Sequence, residues 1–347
     1  MSVYIIAEIG VNHNGNIDIA KQLILAAQKA GCNCVKFQTY KTEELVTEYA
    51  NKAKYQIENT KKAQETQFQM LKKLELKYED FAVLKQFCQN LGIDFLSTPF
   101  DKESVDLLEK LGVTQYKVSS GDLTNKPLLQ YIAGKGKKIM LSTGMATLDE
   151  IKDAIQWINE MGNDKIILFH CTSNYPAPLD SVNMNAMLTL KKEFPYPVGY
   201  SDHTEGIEIS MMAVAMGAVV IEKHFTLDKK MDGPDHKASI EPDELAALAQ
   251  NIRKIEKAFG TSDKMPTPAE FATRDVARKS LVFARDLKKG QYLTPQDLKC
   301  KRPGTGIPPK YYDVLIHKTL RRDCHKDELV RWEDLDINIH DSGVNDQ

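Results

Sequence analysis

The sequence predicts an α/β protein, a (β/α)8 barrel of the TIM type followed by a small β-rich module. Three observations predict it. Short runs rich in β-branched and aromatic residues alternate with longer stretches whose apolar residues recur every three or four positions, a pattern that calls for a parallel sheet with right-handed helical crossovers. Eight such runs precede residue 262, and eight is the number at which a parallel sheet closes on itself. From Lys279 onward the pattern changes to brief strands and turns, KSLVFARDLKKGQYLTPQDLKCKRPGTGIPP.

The eight strands are expected at 3–9, 34–38, 93–98, 115–119, 138–142, 166–171, 198–201 and 219–222. Between them, helical periodicity covers 17–30, 79–91, 102–111, 148–161 and 206–216, with a further helix over 242–259. Gly31, Gly92, Gly112, Gly162 and Gly217 each stand just past one of these helices, where a left-handed cap favours glycine. An open doubly wound sheet is the alternative, but no G-x-G-x-x-G follows the first strand. The polar segment 45–76 is too long for a simple loop and reads as a helical excursion or lid over the barrel top. Turn formers in TSDKMPTP (261–268) mark a linker over 263–278, between a barrel domain over 1–262 and a second domain over 279–340. The polar residues from Asn338 onward are expected to fray.

Composition narrows the function. Of the 347 residues 42% are hydrophobic and 27% charged, which suits a soluble globular protein with a large core. Lys+Arg 46 against Asp+Glu 48 gives a net charge of −2, so no global field recruits nucleic acid or an anionic membrane. Any anionic partner must therefore be held by a local site. The N-terminus lacks a basic flank, and no apolar run approaches the ~18 residues a membrane helix needs. Cys32, Cys34, Cys88, Cys171, Cys300 and Cys324 are scattered without a paired zinc spacing, which fits a reducing, cytoplasmic setting. Cys32-Asn33-Cys34, just before a strand, reads as core packing.

In such a barrel the active site forms where the strands end. Here all eight ends carry polar side chains although the strand interiors are apolar. The first strand offers Glu8, the second Lys36 and Gln38, the third Thr98, and the fourth Lys117, Ser120 and Asp122. The fifth ends in Ser142, the sixth in His170 to Tyr175, the seventh in Ser201 to His203, and the eighth in Glu222 to His224. So many buried polar groups cost stability unless they converge on a ligand. Lys36 and Lys117 each need an anion, either Glu8 or Glu222 of the barrel or a bound phosphorylated carboxylate cradled with Thr98, Ser120, Ser142 and Ser201. His203 and His224 end consecutive strands, ~5 Å apart in a barrel, so they could hold a divalent transition metal beside Asp202, Glu222 and Asp235. His170 reads as a hydrogen-bonded core histidine.

Nine motifs in order resemble the sialic acid synthase family over nearly the whole chain: AEIGVNHNG (7–15), VKFQTY (35–40), STPFD (97–101), KVSSGDLTN (117–125), LSTGMAT (141–147), HCTSNYPAP (170–178), VGYSDHT (198–204), IEKHFTLD (221–228) and GPDHKAS (233–239). RKSLVFARDLKKGQYLT and KRPGTGIPP are similar to that family's C-terminal antifreeze-like SAF domain, a β-clip fold. The resemblance implies a transferase that joins phosphoenolpyruvate to an open-chain N-acetylated amino sugar and releases phosphate. N-acetylmannosamine would give N-acetylneuraminate, and a 2,4-diacetamido-trideoxymannose would give N,N'-diacetyllegionaminate. By the same resemblance His203 and His224 hold Mn2+, with Mg2+ or Co2+ as substitutes. Lys36, Thr98, Lys117, Ser120, Ser142, Asn174 and Ser201 bind phosphoenolpyruvate, and Glu8, Gln38, Tyr175 and Asp235 hold the sugar. Glu222, Asp122 and Glu8 are the catalytic carboxylates, with Glu222 or Asp122 assisting the attacking water. The family's domain-swapped homodimer would lay Arg302 over the partner's barrel mouth. Asp122 stands where many bacterial members carry glutamate, a methylene's difference worth ~1–3 kcal/mol of discrimination, which bears on the acceptor. A synthase for sugar phosphates would need more arginine near the mouth than these strand ends supply. A degenerate barrel serving only as a binding module would have lost some of these ligands.

Overall fold

The computed structural model describes residues 2–337. The tail expected to fray from Asn338, and with it the last residues of the predicted 279–340 domain, lies outside the described residues. Two compact units are present, Met1–Gly260 and Thr261–Gln347.

In the first unit eight parallel strands appear close to their expected places: β1 (Tyr4–Gly10), β2 (Cys34–Thr39), β3 (Asp94–Pro99), β4 (Gln115–Val118), β5 (Lys138–Ser142), β6 (Ile166–Cys171), β7 (Val198–Asp202) and β8 (Val220–His224). Their order is β3-β2-β1-β8-β7-β6-β5-β4. Because β1 pairs with both β2 and β8, the sheet winds back on itself. β3 and β4 pack together at the seam. The architecture is therefore the TIM barrel, not the open doubly wound sheet.

A helix follows each strand, and each packs an apolar stripe on the sheet. Ile17–Lys29 buries Ala20, Leu23, Ile24 and Ala27, and starts where the Asn16 side chain accepts from the Asp18 and Ile19 amides. Leu148–Glu160 buries Ile151, Ala154, Ile155 and Ile158, behind a Thr147/Glu150 capping box. The five helix-ending glycines all adopt left-handed φ values, from +68° to +88°. The excursion predicted over 45–76 contains two short helices, Lys54–Thr60 and Gln67–Leu74.

Strand alternation divides the core into two layers. Ile5, Ala7 and Ile9 of β1, with Val35 and Phe37 of β2, face the helices and join the main core. Ile6, Cys34, Leu96, Met140, Phe169 and Val220 face inward and make a separate apolar plug inside the barrel. Two residues further along the same strands, the inward positions become Glu8, Lys36, Thr98, Ser142, Cys171 and Glu222. This switch from apolar to polar along one face places the site. Cys34 belongs to the plug and Cys32 packs against the outer core, and all six thiols are free.

The second unit has its own small core of Leu281, Phe283, Leu287, Leu293, Leu298 and their neighbours. Strands β9 (Ser280–Phe283) and β10 (Leu298–Lys301) pair antiparallel, and isolated bridges such as Leu287 to Cys324 hold the rest. The stretch read as a linker contains a helix, Pro268–Ala277, with no buried residue. Among the described residues no helix is long and apolar enough to cross a membrane.

Candidate active site

A cavity of about 500 Å³ opens at the C-terminal ends of the strands. Its lining brings together twelve of the residues singled out in the sequence: Lys36, Gln38, Thr98, Lys117, Ser120, Ser142, Tyr175, Ser201, His203, Glu222, His224 and Asp235. Four expected residues stand elsewhere. Glu8 lies directly behind the lining, 1% exposed. The Asp122 carboxylate is turned to the Ser119 hydroxyl (2.6 Å) and the Asn125 amide (3.2 Å), outside the lining. Asn174 is exposed and accepts from the Tyr175 amide at 3.0 Å. Arg302, in the second unit, is exposed and donates through Nε to the Ala277 carbonyl.

The cavity floor is a buried ionic cluster. Lys36 Nζ lies 2.9 Å from Glu8 Oε2 and 3.7 Å from Glu222 Oε1, and donates to Thr98 Oγ1 at 3.2 Å. Lys117 Nζ donates to Ser142 Oγ at 2.6 Å and lies 3.5 Å from Glu222 Oε1. Glu222 Oε1 also accepts from Ser201 Oγ at 2.9 Å, and Gln38 Nε2 donates to Glu8 Oε1 at 3.2 Å. Both lysines thus pair with barrel carboxylates.

Charge in this cluster is shared unequally. Burial alone would raise the Glu222 carboxyl, but Lys117 and Lys36 outweigh it and hold Glu222 ionised, well below the usual range. Glu8 goes the other way: burial, only partly opposed by Lys36, pushes it up to about 7. Burial also disfavours the Lys36 ammonium, yet Glu222 and Glu8 overcome this and raise it. Lys117 stays depressed by burial despite Glu222. It is the cation whose charge is least compensated, and a bound anion would supply what it lacks.

Two glycines keep the floor open. Gly10, at φ +53°, ends β1 where its missing Cβ would come within 3.2 Å of Glu8 Oε1 and Gln38 Nε2. At Gly144 a Cβ would fall 2.3 Å from Ser173 Oγ and 2.8 Å from Ser120 Oγ.

The histidine pair stands at the wall. The ring centroids of His203 and His224 are 5.4 Å apart at 64°. His203 Nδ1 lies 2.7 Å from the Thr172 carbonyl oxygen, which can only accept, so Nδ1 carries the proton and Nε2 keeps its lone pair. His224 Nδ1 is buried with no hydrogen-bond partner. Burial depresses both imidazoles, His203 to about 4, so both are neutral at pH 7. Two neutral imidazoles, one fixed through its other nitrogen and one with an orphaned nitrogen, fit a divalent transition ion. Among the described residues, no group of three or more His, Cys, Asp or Glu side chains is placed to hold a metal. Asp202, expected beside it, points to the opposite face of the sheet, where Lys223 Nζ meets it at 3.0 Å. His170, on that same face, lies 2.9 Å through Nε2 from the Val182 carbonyl oxygen.

Sequence reasoning missed several lining residues, among them Tyr55 and Gln56. Tyr55 and Gln56 come from the excursion after β2, which strand-end logic does not reach. Their signal is only an aromatic residue within a polar segment.

The NeuB family profile matches residues 23–264. This chain belongs to the NeuB family. The SAF domain matches residues 278–336 of the same NeuB-family chain. It is 48% identical over 329 residues to N,N'-diacetyllegionaminic acid synthase of Campylobacter jejuni, covering 94% of this chain and 98% of that one. The protein of the same name in Legionella pneumophila is 45% identical over 340 residues, covering 97% and 95%. Among solved structures, the N-acetylneuraminic acid (sialic acid) synthetase of Leptospira borgpetersenii superposes with a TM-score of 0.70 at 37% identity, covering 79% of this chain and 90% of that one.

Proposed function

We propose that the barrel condenses phosphoenolpyruvate with an open-chain N-acetylated hexosamine, forming a nine-carbon 2-keto acid and inorganic phosphate. The observation that carries this reading is the meeting of Lys36, Lys117 and four hydroxyl side chains with the His203/His224 pair around one cavity. The names of the relatives support it.

Lys36, Lys117, Thr98, Ser120, Ser142 and Ser201 would hold the phosphate and carboxylate of the donor, with Asn174 at the rim. Gln38, Tyr175 and Asp235 would orient the acceptor. His203 and His224 would hold a divalent ion, Mn2+ or in its place Mg2+ or Co2+, which when bound supplies Lewis acidity toward the aldehyde oxygen. The enol carbon of the donor bonds to the aldehyde carbon while the aldehyde oxygen takes up a proton, leaving cationic character on the donor carbon that bears the phosphate oxygen. Glu222, held ionised by its lysines, stabilises that charge from the floor. Water adds to the cationic carbon, and the carbon–oxygen bond then breaks to give the keto acid and phosphate.

The proton of the attacking water would pass to one of three carboxylates, Glu222, Asp122 or Glu8. Burial raises Glu8 toward neutrality, where a general base works best, but it stands behind the cavity lining; Glu222 lines the cavity and is held ionised by its lysines, and Asp122 faces Ser119 and Asn125.

N-acetylmannosamine as acceptor would give N-acetylneuraminate. A 2,4-diacetamido-trideoxymannose would give N,N'-diacetyllegionaminate, a second reading favoured by the two relatives at 45% and 48% identity. The exposed Arg302 supports a homodimer in which it reaches a neighbouring barrel mouth, and the six free thiols support a cytoplasmic setting. The test mixes the full chain with Mn2+, phosphoenolpyruvate and a panel of acceptor sugars, then measures phosphate release and product mass. No phosphate release with any N-acetylated hexosamine would refute the reading.

A further inference from the structure

The cavity is divided chemically. Its floor holds the ionic cluster, and the only ammonium or guanidinium groups among the described lining residues are Lys36 and Lys117, both committed there. Its outer wall is apolar. Val11 and Met70 belong to a small satellite core at the mouth, with Leu45, Leu71 and Phe100 packed against it, and all five line the cavity.

Tyr55 sits where these halves meet. It belongs to the helix Lys54–Thr60 of the excursion after β2. Its ring lies 5.2 Å from that of Tyr175, and the Tyr175 ring lies 4.2 Å from that of His203. Tyr55 is therefore one aromatic ring away from the aldehyde end of the site. The helix is fixed from its other end, because Asn59 Nδ2 donates to the Pro234 carbonyl at 2.6 Å, next to the cavity-lining Asp235. Gln56, buried beside Tyr55, donates through Nε2 to the Tyr55 hydroxyl at 3.3 Å.

Resting on the condensation reading above, we propose that Tyr55 determines acceptor specificity, presenting an aromatic face to the end of the sugar remote from its aldehyde. A phosphate at that end would have no barrel cation to meet and would be desolvated against aliphatic side chains. A deoxygenated or acylated end would instead bury methyl groups against Tyr55, Met70 and Leu71. The selected acceptor is an uncharged sugar with apolar substituents at its far end.

The test measures phosphate release by the full-length enzyme with Mn2+ and phosphoenolpyruvate against N-acetylmannosamine, its 6-phosphate and the trideoxy diacetamido sugar. The wild type should prefer the trideoxy sugar in kcat/KM and leave the 6-phosphate unused. Tyr55→Ala should shrink that preference by about tenfold or more through the acceptor KM, with the phosphoenolpyruvate KM unchanged as evidence that the floor is intact. Tyr55→Phe should keep the preference, because the ring carries it. A Tyr55→Ala enzyme with an unaltered acceptor ratio, or a wild type that uses the 6-phosphate as well as the trideoxy sugar, overturns this assignment alone. Absence of phosphate release with every acceptor overturns the condensation reading and this inference with it.

Discussion

Lys223→Met should destabilise the barrel unit more than almost any other single substitution. Lys223 and Asp202 are both fully buried, 3.0 Å apart, and paired in register across β8 and β7. Lys223 Nζ also donates to the Thr204 carbonyl at 2.5 Å. Asp202 further accepts from the Thr204 amide (2.9 Å), the Thr204 hydroxyl (2.8 Å) and the Ser210 hydroxyl (2.6 Å). Removing the ammonium leaves the three hydrogen bonds to Asp202 but strands its carboxylate without a countercharge, which costs about 3–5 kcal/mol. For a unit of this size that corresponds to a melting point lower by about 6–10 °C. Neutralising the partner as well, in Lys223→Met with Asp202→Asn, should recover more than half of the loss. Denaturant unfolding followed by circular dichroism would read both values. A single variant within about 0.5 kcal/mol of wild type would refute the reasoning. The pair also separates Ser201 from His203 and Glu222 from His224 in the chain, so the same variants should weaken Mn2+ binding by about tenfold in a direct titration.

Other expectations follow from the site itself. His203→Ala or His224→Ala should lower turnover by about 10³-fold and abolish Mn2+ binding while the circular dichroism spectrum is kept; turnover retained after both changes would remove the metal assignment. As a candidate base, Glu8, raised to about 7, would act only when ionised, so kcat should rise with pH through about 7. Glu8→Gln should lose that limb and about 10²–10⁴-fold in rate. Asp235 is raised by burial from 3.8 to about 6, so between those values the folded chain keeps a proton that the unfolded chain has released. Stability should therefore fall as pH rises through that window, by about 3 kcal/mol in total, and Asp235→Asn should flatten the slope in pH-dependent unfolding.

The barrel was legible because each strand carries its own punctuation. In β1, Ile5, Ala7 and Ile9 alternate with Ile6 and Glu8, and alternation survives translation into structure because a strand has a period of two. The floor was legible for the same reason: inward positions that turn from Ile6 to Glu8, or from Cys34 to Lys36, announce where the plug ends. What periodicity could not supply was the direction of groups beyond the strands. Asp122 sits in the 3-10 turn Ser120–Asp122, where local hydrogen bonds to Ser119 and Asn125 decide its aim. Asp202 was misplaced because its parity, opposite to Ser201 and His203, sends it to the helix side. Tyr55 depends on how a long excursion folds back, a tertiary matter with no local period.

The floor also explains why a multiply anionic donor suits this barrel. The plug of Ile6, Leu96, Met140, Phe169 and Val220 closes the interior beneath the ionic cluster, so water cannot screen it from below and each charge acts at low effective dielectric. Two ammonium groups face one firmly ionised carboxylate, Glu222, and a second, Glu8, that gives up its proton only near neutrality. The imbalance falls on Lys117, which is depressed although Glu222 stands 3.5 Å away. An arrangement selected for stability alone would replace such a cluster with apolar side chains at little cost or with a gain. Its place at the strand ends, beside two neutral histidines, suits an anionic ligand. Donor binding should then raise the proton affinity of Lys117 and stabilise the fold in proportion to the logarithm of donor concentration.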